Sequence, residues 1–306
     1  MRIENNIPAV QQFEMKYENK VEVNGTKLNV YTEGEGKVTI VFMAGNGVTC
    51  PVLEYKPLYS RMSEKYRIVV IEKPGYGFSE GMKSQRLLEK LVAEDREALE
   101  KAGIKPPYVL APHSYSGFEA IYWANTYPKE VEAILSIDMG IPETAIQQSK
   151  EITELERLKM LDKQFKMLRT IAKGGLIAKL AKKKTEDASG LMSGNELTPE
   201  EKEIYRGLFY RNIANREFYE EARLMTENAM RAEKTGIPKC PICFYLSDMP
   251  TLSKKVNWRQ NVLGYAEKCG GKVYLTDRGH MMYAYIPDDM ASNFDSFLKA
   301  NYIGVQ

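Results

Sequence analysis

The sequence predicts an α/β fold, a mostly parallel, doubly wound sheet entered through an N-terminal hairpin and interrupted by a helical insertion. Three observations point there. Short unbroken apolar runs end in Gly- or Pro-rich loops, which suits strands covered on both faces. Those runs alternate with helix-periodic segments, the order of right-handed crossovers in a doubly wound sheet. From about Glu143 to Pro238 no strand-like run appears, and Met, Lys, Arg and Glu dominate with apolar residues at helical spacing.

The hairpin is the stretch Val21 to Tyr31, where apolar and polar residues alternate around Asn24-Gly25. Asn-Gly favours a tight hairpin because both central turn residues take positive φ. Val38–Met43 follows as a buried strand and ends in Ala44-Gly45-Asn46-Gly47. Tyr66–Ile71 is the next, ending in Glu72-Lys-Pro74-Gly75-Tyr-Gly77. Leu87, Leu88, Leu91, Val92 and Leu99 recur at helical spacing, and Gly103 stops that helix. Tyr108–Ala111 and Ala133–Ile137 read as strands, with a helix carrying Phe118, Ile121 and Tyr122 between them. Beyond the insertion, Ile242–Leu246 and Lys272–Leu275 read as strands and Met290–Leu298 as a terminal helix. The expected division is a core of residues 1–142 and 237–306 and a helical cap of residues 143–236.

Composition narrows the function. The chain has 306 residues, 43% of them apolar, so it is neither fibrous nor disordered. Its net charge of +2 carries no nucleic-acid footprint. No apolar run approaches the ~18 residues of a membrane helix. Met1–Tyr17 lacks the apolar stretch of a signal peptide, so a soluble, cytoplasmic protein is expected. Cys240 and Cys243 share a Cys-x-x-Cys spacing, yet zinc needs about four ligands. The two histidines, His113 and His280, and the isolated Cys50 and Cys269 do not complete such a set. Buried structural thiols are the expectation, with no metal and no cofactor.

The chemistry-bearing segment is Leu110-Ala-Pro112-His113-Ser114-Tyr115-Ser116-Gly117-Phe118, between a strand and a helix. A serine on a tight strand-to-helix turn lifts its hydroxyl above the sheet edge and needs small residues two positions either side. Ser114, flanked by Pro112 and Ser116, meets that rule; Ser116, flanked by Ser114 and Phe118, does not. Both serines could instead simply cap the following helix. A serine nucleophile needs a base, usually histidine. His280 lies in a loop past the last strand, where ligand sites form in this architecture, whereas His113 adjoins the serine and its side chain should leave in another direction. An acid must orient the imidazole. Asp248, Asp138 and Asp277 are candidates in that order, the first two following strands. Backbone amides of Asn46 and Tyr115 are placed to donate to an oxyanion.

The order of these segments resembles the α/β-hydrolase superfamily. Phe42-Met-Ala-Gly-Asn-Gly47, Glu72-Lys-Pro-Gly-Tyr-Gly-Phe-Ser79, His113-Ser-Tyr-Ser-Gly117 and Gly279-His280, with Pro287 and Phe294 behind it, carry the likeness over roughly residues 20–142 and 237–300. The resemblance implies Ser114 as nucleophile, His280 as base, Asp248 as acid, oxyanion donors at Asn46 and Tyr115, and a cap. Pro112 and Ser116 replace the usual glycines of the turn, Ala44 replaces a common histidine, and Glu72 stands for the usual Asp.

The expected activity is cleavage of a small to medium carboxylic ester through an acyl-enzyme. One alternative is an iminopeptidase-like aminopeptidase, needing cap carboxylates such as Glu217, Glu220 or Glu221 for a substrate amine. Another is a binding or sensor protein that keeps the pocket without turnover. Residues 157–184 carry ten Lys or Arg and one acid, opposite a stripe of Leu158, Leu161, Phe165, Leu168 and Ile171. Such a helix can lie on an anionic membrane; the preferred reading packs the stripe inward and solvates the charges. Tyr205, Phe209, Tyr210, Phe218 and Tyr219 are either pocket lining or cap packing.

Overall fold

The computed structural model describes residues 16–81, 84–173, 187–249 and 256–304. Strands β1 (Lys20–Val23) and β2 (Thr26–Glu33) form the hairpin, with Val23 opposite Thr26. Asn24 and Gly25 have φ of 50° and 74°, the paired positive values that a two-residue turn requires. Then come β3 (Thr39–Met43), β4 (Arg67–Glu72), β5 (Tyr108–Pro112), β6 (Val131–Ile137), β7 (Ile242–Leu246) and β8 (Lys272–Leu275). The sheet order is β1-β2-β4-β3-β5-β6-β7-β8, antiparallel through β1, β2 and β4 and parallel from β4 onward.

Alternate side chains leave each strand on opposite faces. Ile40, Phe42, Ile68, Val70, Val109 and Ala111 enter one core layer, and Val41, Met43, Val69, Ile71 and Leu110 enter the other. The first layer is closed by helices α1 (Pro51–Glu54), α2 (Lys56–Met62) and α11 (Pro287–Ala300). The second is closed by α3 (Leu88–Lys101), α4 (Gly117–Thr126) and α10 (Trp258–Cys269). After β3 the chain crosses to β4 on one side, then to β5 on the other. The crevice beyond the ends of β3 and β5 is therefore the switch point where ligands bind in such sheets.

Between β6 and β7 lie α5 (Pro142–Ser149), α6 (Glu154–Ala172), α7 (Pro199–Asn212), α8 (Arg216–Arg223) and α9 (Met225–Glu233), and no strand among the described residues. Thr153 with Glu156, and Thr198 with Glu201, form reciprocal capping boxes that start α6 and α7. On α6 the stripe faces inward: Leu161, Phe165 and Ile171 are buried, Leu158 and Leu168 half-buried, while Lys159, Lys163 and Lys166 are exposed. The rest of the basic run, with Lys182, Lys183 and Lys184, lies outside the described residues. Tyr205, Phe209 and Phe218 are buried. No described helix is long and apolar enough to cross a membrane. Cys243 is buried within β7 and Cys240 half-buried before it, and burial pushes their thiols up to about 12 and about 11.

Glu72 fixes the loop after β4. Its carboxylate accepts from the amides of Phe78 at 2.7 Å and Val52 at 3.2 Å, and from Asn29 Nδ2 at 3.0 Å. Gly77, at φ 48°, passes so close that an added Cβ would lie 1.8 Å from Glu72 Oε1. Gly77→Ala should therefore cost about 2–4 kcal/mol in chemical denaturation. Gly25→Ala, where nothing lies within 4 Å, should cost only the backbone strain of about 1–2 kcal/mol. Equal losses would show that contact with Glu72 does not constrain the loop.

Candidate active site

β5 ends in an irregular turn. His113 keeps extended backbone and bridges to Ile137, then Ser114 takes φ 54° and opens a single 3₁₀ turn, Ser114–Ser116, ahead of α4. Positive φ at a serine costs about 1–2 kcal/mol, so the surroundings must impose it. They do so through three glycines. A Cβ on Gly45 would lie 2.8 Å from Ser114 Cβ, and one on Gly117 would lie 2.2 Å from the Gly140 carbonyl. The Gly140 amide donates to the Ser114 carbonyl at 2.6 Å. The loop after β3 thus passes directly beside Ser114, which is half-buried.

Ser116 has a different job. Fully buried, it donates to the Met43 carbonyl at 2.8 Å and accepts from the His113 amide at 3.0 Å, stitching β3 to the turn. Among the described residues no backbone carbonyl accepts from the Asn46 or Tyr115 amide. The side chains of both residues are braced from the helices between β6 and β7. Asn46 Nδ2 donates to the Phe218 carbonyl of α8 at 2.9 Å, and the Tyr115 hydroxyl accepts from Asn228 Nδ2 of α9 at 2.6 Å.

His280 lies in the loop after β8, and its Nδ1 is 2.6 Å from Asp138 Oδ2. Asp138 directly follows β6, is buried, and has φ 47°. Its Oδ1 accepts from the Ser247 amide at 3.1 Å and Trp258 Nε1 at 3.0 Å, and its Oδ2 also accepts from the Ser247 hydroxyl at 2.6 Å. Burial alone would push this carboxyl up. The bond and charge of His280 and the two Ser247 donors outweigh it and hold the group below the usual carboxylate range.

The acid expected first from sequence, Asp248, is elsewhere. Ser247 turns into the core at the end of β7, and the next side chain, Asp248, is exposed, its amide donating to the Arg278 carbonyl at 3.2 Å. Asp277 is 90% exposed and pairs with its neighbour Arg278. The structure thus brings Asp138, the second candidate, to His280. Sequence reasoning missed Ser247 and Trp258 as its donors.

It also missed what His113 does. The ring does not leave the site but lies 4.6 Å from that of His280, centroid to centroid. Its Nε2 is 3.2 Å from the His280 carbonyl, so that nitrogen carries the proton, and Nδ1 accepts from the Tyr55 hydroxyl at 3.2 Å. The Tyr55 oxygen in turn receives the Gly45 amide at 3.4 Å. A polar chain thus runs from the loop beside Ser114 to the backbone of His280.

A second missed feature is a buried ionic cluster beneath the turn. Lys73 Nζ is 2.8 Å from Glu119 of α4 and 3.3 Å from Glu221 of α8. Arg86 pairs with Glu94 at 2.6 Å and with Glu221 at 3.2 Å. Glu221 is thereby taken, and Glu220 pairs with Arg223 at 2.9 Å, so neither is offered to a substrate amine. Beside His280 a groove of about 450 Å³ opens, lined by Ala188, Asp277, Arg278, Gly279, Met281 and Tyr285. Among the described residues no group of three or more His, Cys, Asp or Glu side chains is placed to hold a metal ion.

Burial and the neighbouring His280 push the His113 imidazole down from 6.5 to about 3. Below pH 6.5 the unfolded chain binds a proton that the folded one refuses, so stability falls with pH until about 3. Between about pH 6.5 and 4.5 the protein should lose roughly 2 kcal/mol more than a His113→Gln variant, read from urea denaturation at each pH. Parallel curves would mean that His113 is protonated inside the fold.

Comparison with known proteins agrees with this architecture. No family model matches the chain. It is 34% identical over 284 residues to the uncharacterized protein YbdG of Bacillus subtilis (strain 168), covering 91% of this chain and 85% of that one. Among solved structures, a mutant of a Pseudomonas aeruginosa protein assigned as an epoxide hydrolase superposes with a TM-score of 0.68 at 16% identity, covering 94% of this chain and 97% of that one. The enol-lactonase from Burkholderia xenovorans LB400 superposes with a TM-score of 0.63 at 16% identity, covering 92% and 100%. The chain thus belongs to the same family as YbdG, and with eight strands in this order, a left-handed serine at the turn after β5 and these neighbours it has the α/β-hydrolase fold.

Proposed function

We propose that the protein is a serine hydrolase that cleaves a carboxylic ester through an acyl-enzyme, with Ser114, His280 and Asp138 as its triad. The observation that carries the reading is the pairing of a serine forced to φ 54° at a strand end with a histidine held 2.6 Å from a buried carboxylate. With Nδ1 given to Asp138, the Nε2 of His280 is the nitrogen that takes the Ser114 proton as the hydroxyl oxygen attacks the ester carbonyl. The Asn46 and Tyr115 amides hold the oxyanion. His280 then returns the proton to the departing alcohol, and water, activated by the same nitrogen, releases the acid.

Residues 143–236 act as a cap over residues 1–142 and 237–306. Support comes from α8 and α9, which brace both loops that carry the oxyanion donors. An enol-lactonase among the fold neighbours is compatible with ester chemistry. Of the cap carboxylates Glu217, Glu220 and Glu221 that an aminopeptidase could use, Glu220 and Glu221 are paired with cations, which speaks against those two as the site for a substrate amine.

A panel of p-nitrophenyl esters beside aminoacyl arylamides tests the class, and a fluorophosphonate probe tests the serine. Ser114→Ala should abolish turnover and labelling while leaving the thermal midpoint little changed; full activity in that variant would sink the mechanism. Asp138→Asn should lower kcat by ~10⁴, the scale for losing the orienting carboxylate of such a triad. Asp248→Asn should stay within roughly tenfold, and the reverse ranking would move the acid back to β7.

A further inference from the structure

The ionic cluster beneath the turn after β5 holds more acid than base. Among the described residues its cations are Lys73, in the loop after β4, and Arg86, just before α3. Four buried carboxyls surround them: Glu94 and Asp95 on α3, Glu119 on α4 and Glu221 on α8. Glu221 takes Lys73, Arg86 and the Tyr76 hydroxyl. Glu94 takes Arg86 at 2.6 Å and the Ser84 hydroxyl at 3.0 Å, and Glu119 takes Lys73 at 2.8 Å through Oε1. The Tyr76 and Tyr115 rings close the cluster, 4.8 and 5.8 Å from Lys73 Nζ. Burial pushes both of their hydroxyls well up, so neither ionises near neutral pH.

Two carboxyl oxygens in this cluster are left without a hydrogen-bond partner, Asp95 Oδ1 and Glu119 Oε2. Of the charged groups around Asp95, Glu119 acts on it most strongly, ahead of Lys73, Glu94 and Arg86. Two neighbouring buried carboxylates cannot both ionise without strong repulsion. A protonated carboxyl, however, is a donor, and its ionised neighbour is an acceptor. One proton therefore removes the repulsion and gives both vacant oxygens a partner.

We propose that Asp95 and Glu119 share one proton in the folded protein, carried on Asp95 Oδ1 and donated to Glu119 Oε2, and that folding takes it from water at neutral pH. This goes beyond the serine-hydrolase reading and does not depend on it. Glu119 keeps its charge for Lys73, and Glu221 keeps both cations, so the proton joins α3 to α4 without disturbing the pairs that hold α8. Burial, and after it the charge of Glu119, pushes the Asp95 carboxyl well up, in keeping with a proton retained there. In the unfolded chain both carboxyls are ionised above about pH 5. The folded chain then holds one proton more than the unfolded one. Stability from this pair is therefore lost as pH rises, until the folded pair itself gives up the proton.

The test is urea denaturation of the unaltered protein and of Asp95→Asn between about pH 5.5 and pH 7. The asparagine amide donates to Glu119 Oε2 in place of the proton and does not titrate. The unfolding constant of the unaltered protein should rise relative to that of Asp95→Asn by about tenfold per pH unit, the linkage slope for one proton. A relative rise of about threefold per unit or more supports the shared proton, and a smaller one overturns it. If Asp95→Asn does not fold, Glu119→Gln, whose amide donates to Asp95 Oδ1, is read in the same way. If neither variant folds, neutron diffraction from crystals of the unaltered protein at pH 7 decides. A deuteron between Asp95 and Glu119 supports the proposal, and two bare carboxylates overturn it.

Discussion

The Asp138 carboxylate governs how this site is assembled. It is removed from water on a backbone in the left-handed region, and either condition alone would be unfavourable. What makes it tolerable is four donors from three later parts of the chain: the amide and hydroxyl of Ser247 after β7, the indole of Trp258 on α10 and the imidazole of His280 after β8. One charge therefore fixes the loops that follow three adjacent strands. The constraint then passes through the His280 carbonyl to His113, from His113 to Tyr55, and from Tyr55 to the Gly45 amide. The loop carrying Asn46 and the loop carrying His280 are thus set by one polar chain, although more than 230 residues separate them.

Much of this architecture is legible in the sequence, for a simple reason. Strands buried on both faces must be apolar throughout, so each parallel strand shows as an unbroken run, and Asn24-Gly25 marks the hairpin that opens the sheet. The different settings of the two serines follow from the same local rule, because a tight turn excludes a large flanking residue and Phe118 is large: Ser114 takes the left-handed turn position, and Ser116 is buried in hydrogen bonds to Met43 and His113. The acid was not legible. Asp138 and Asp248 both follow strands, and nothing local says which side chain turns inward. The decision is made by Ser247, which takes the inward position at the end of β7 and leaves Asp248 in solvent, and by Trp258, ten residues further on. The signal available was the apolar run Ala133–Ile137 leading straight into Asp138, against a serine standing before Asp248. The bond between His113 and Tyr55 joins residues 58 positions apart, and no periodicity announces such a contact.

The ionic cluster under the turn follows the same logic with more charges. Lys73 and Arg86 meet Glu94, Glu119 and Glu221 with almost no exposure, and Asp95 lies beside them with burial pushing its carboxyl well up. Buried ion pairs add little net stability compared with apolar residues of the same volume, while removing one partner from such a pair typically costs about 3–5 kcal/mol. Their effect here is positional. Glu221 on α8 can be accommodated only where both Lys73 and Arg86 reach it, which fixes the register of α8 against the loop after β4 and against α3 and α4.

That register has a consequence for the chemistry. The Phe218 carbonyl, one turn before Glu221 on α8, is what holds Asn46, and Asn228 on α9 is what holds Tyr115 while also receiving the Leu88 amide. Both amides proposed to face the oxyanion therefore belong to residues whose side chains are held by the segment between β6 and β7, not by the sheet. In a fold whose strand ends carry Ser114, Asp138 and His280, an insertion that reaches Asn46 and Tyr115 is tied to the site as closely as the sheet is. Here its placement reaches the groups that would stabilise the developing charge. A displacement of α8 that broke the bond from Asn46 Nδ2 to the Phe218 carbonyl would free the Asn46 side chain, so the position of α8 and that of the loop after β3 are linked.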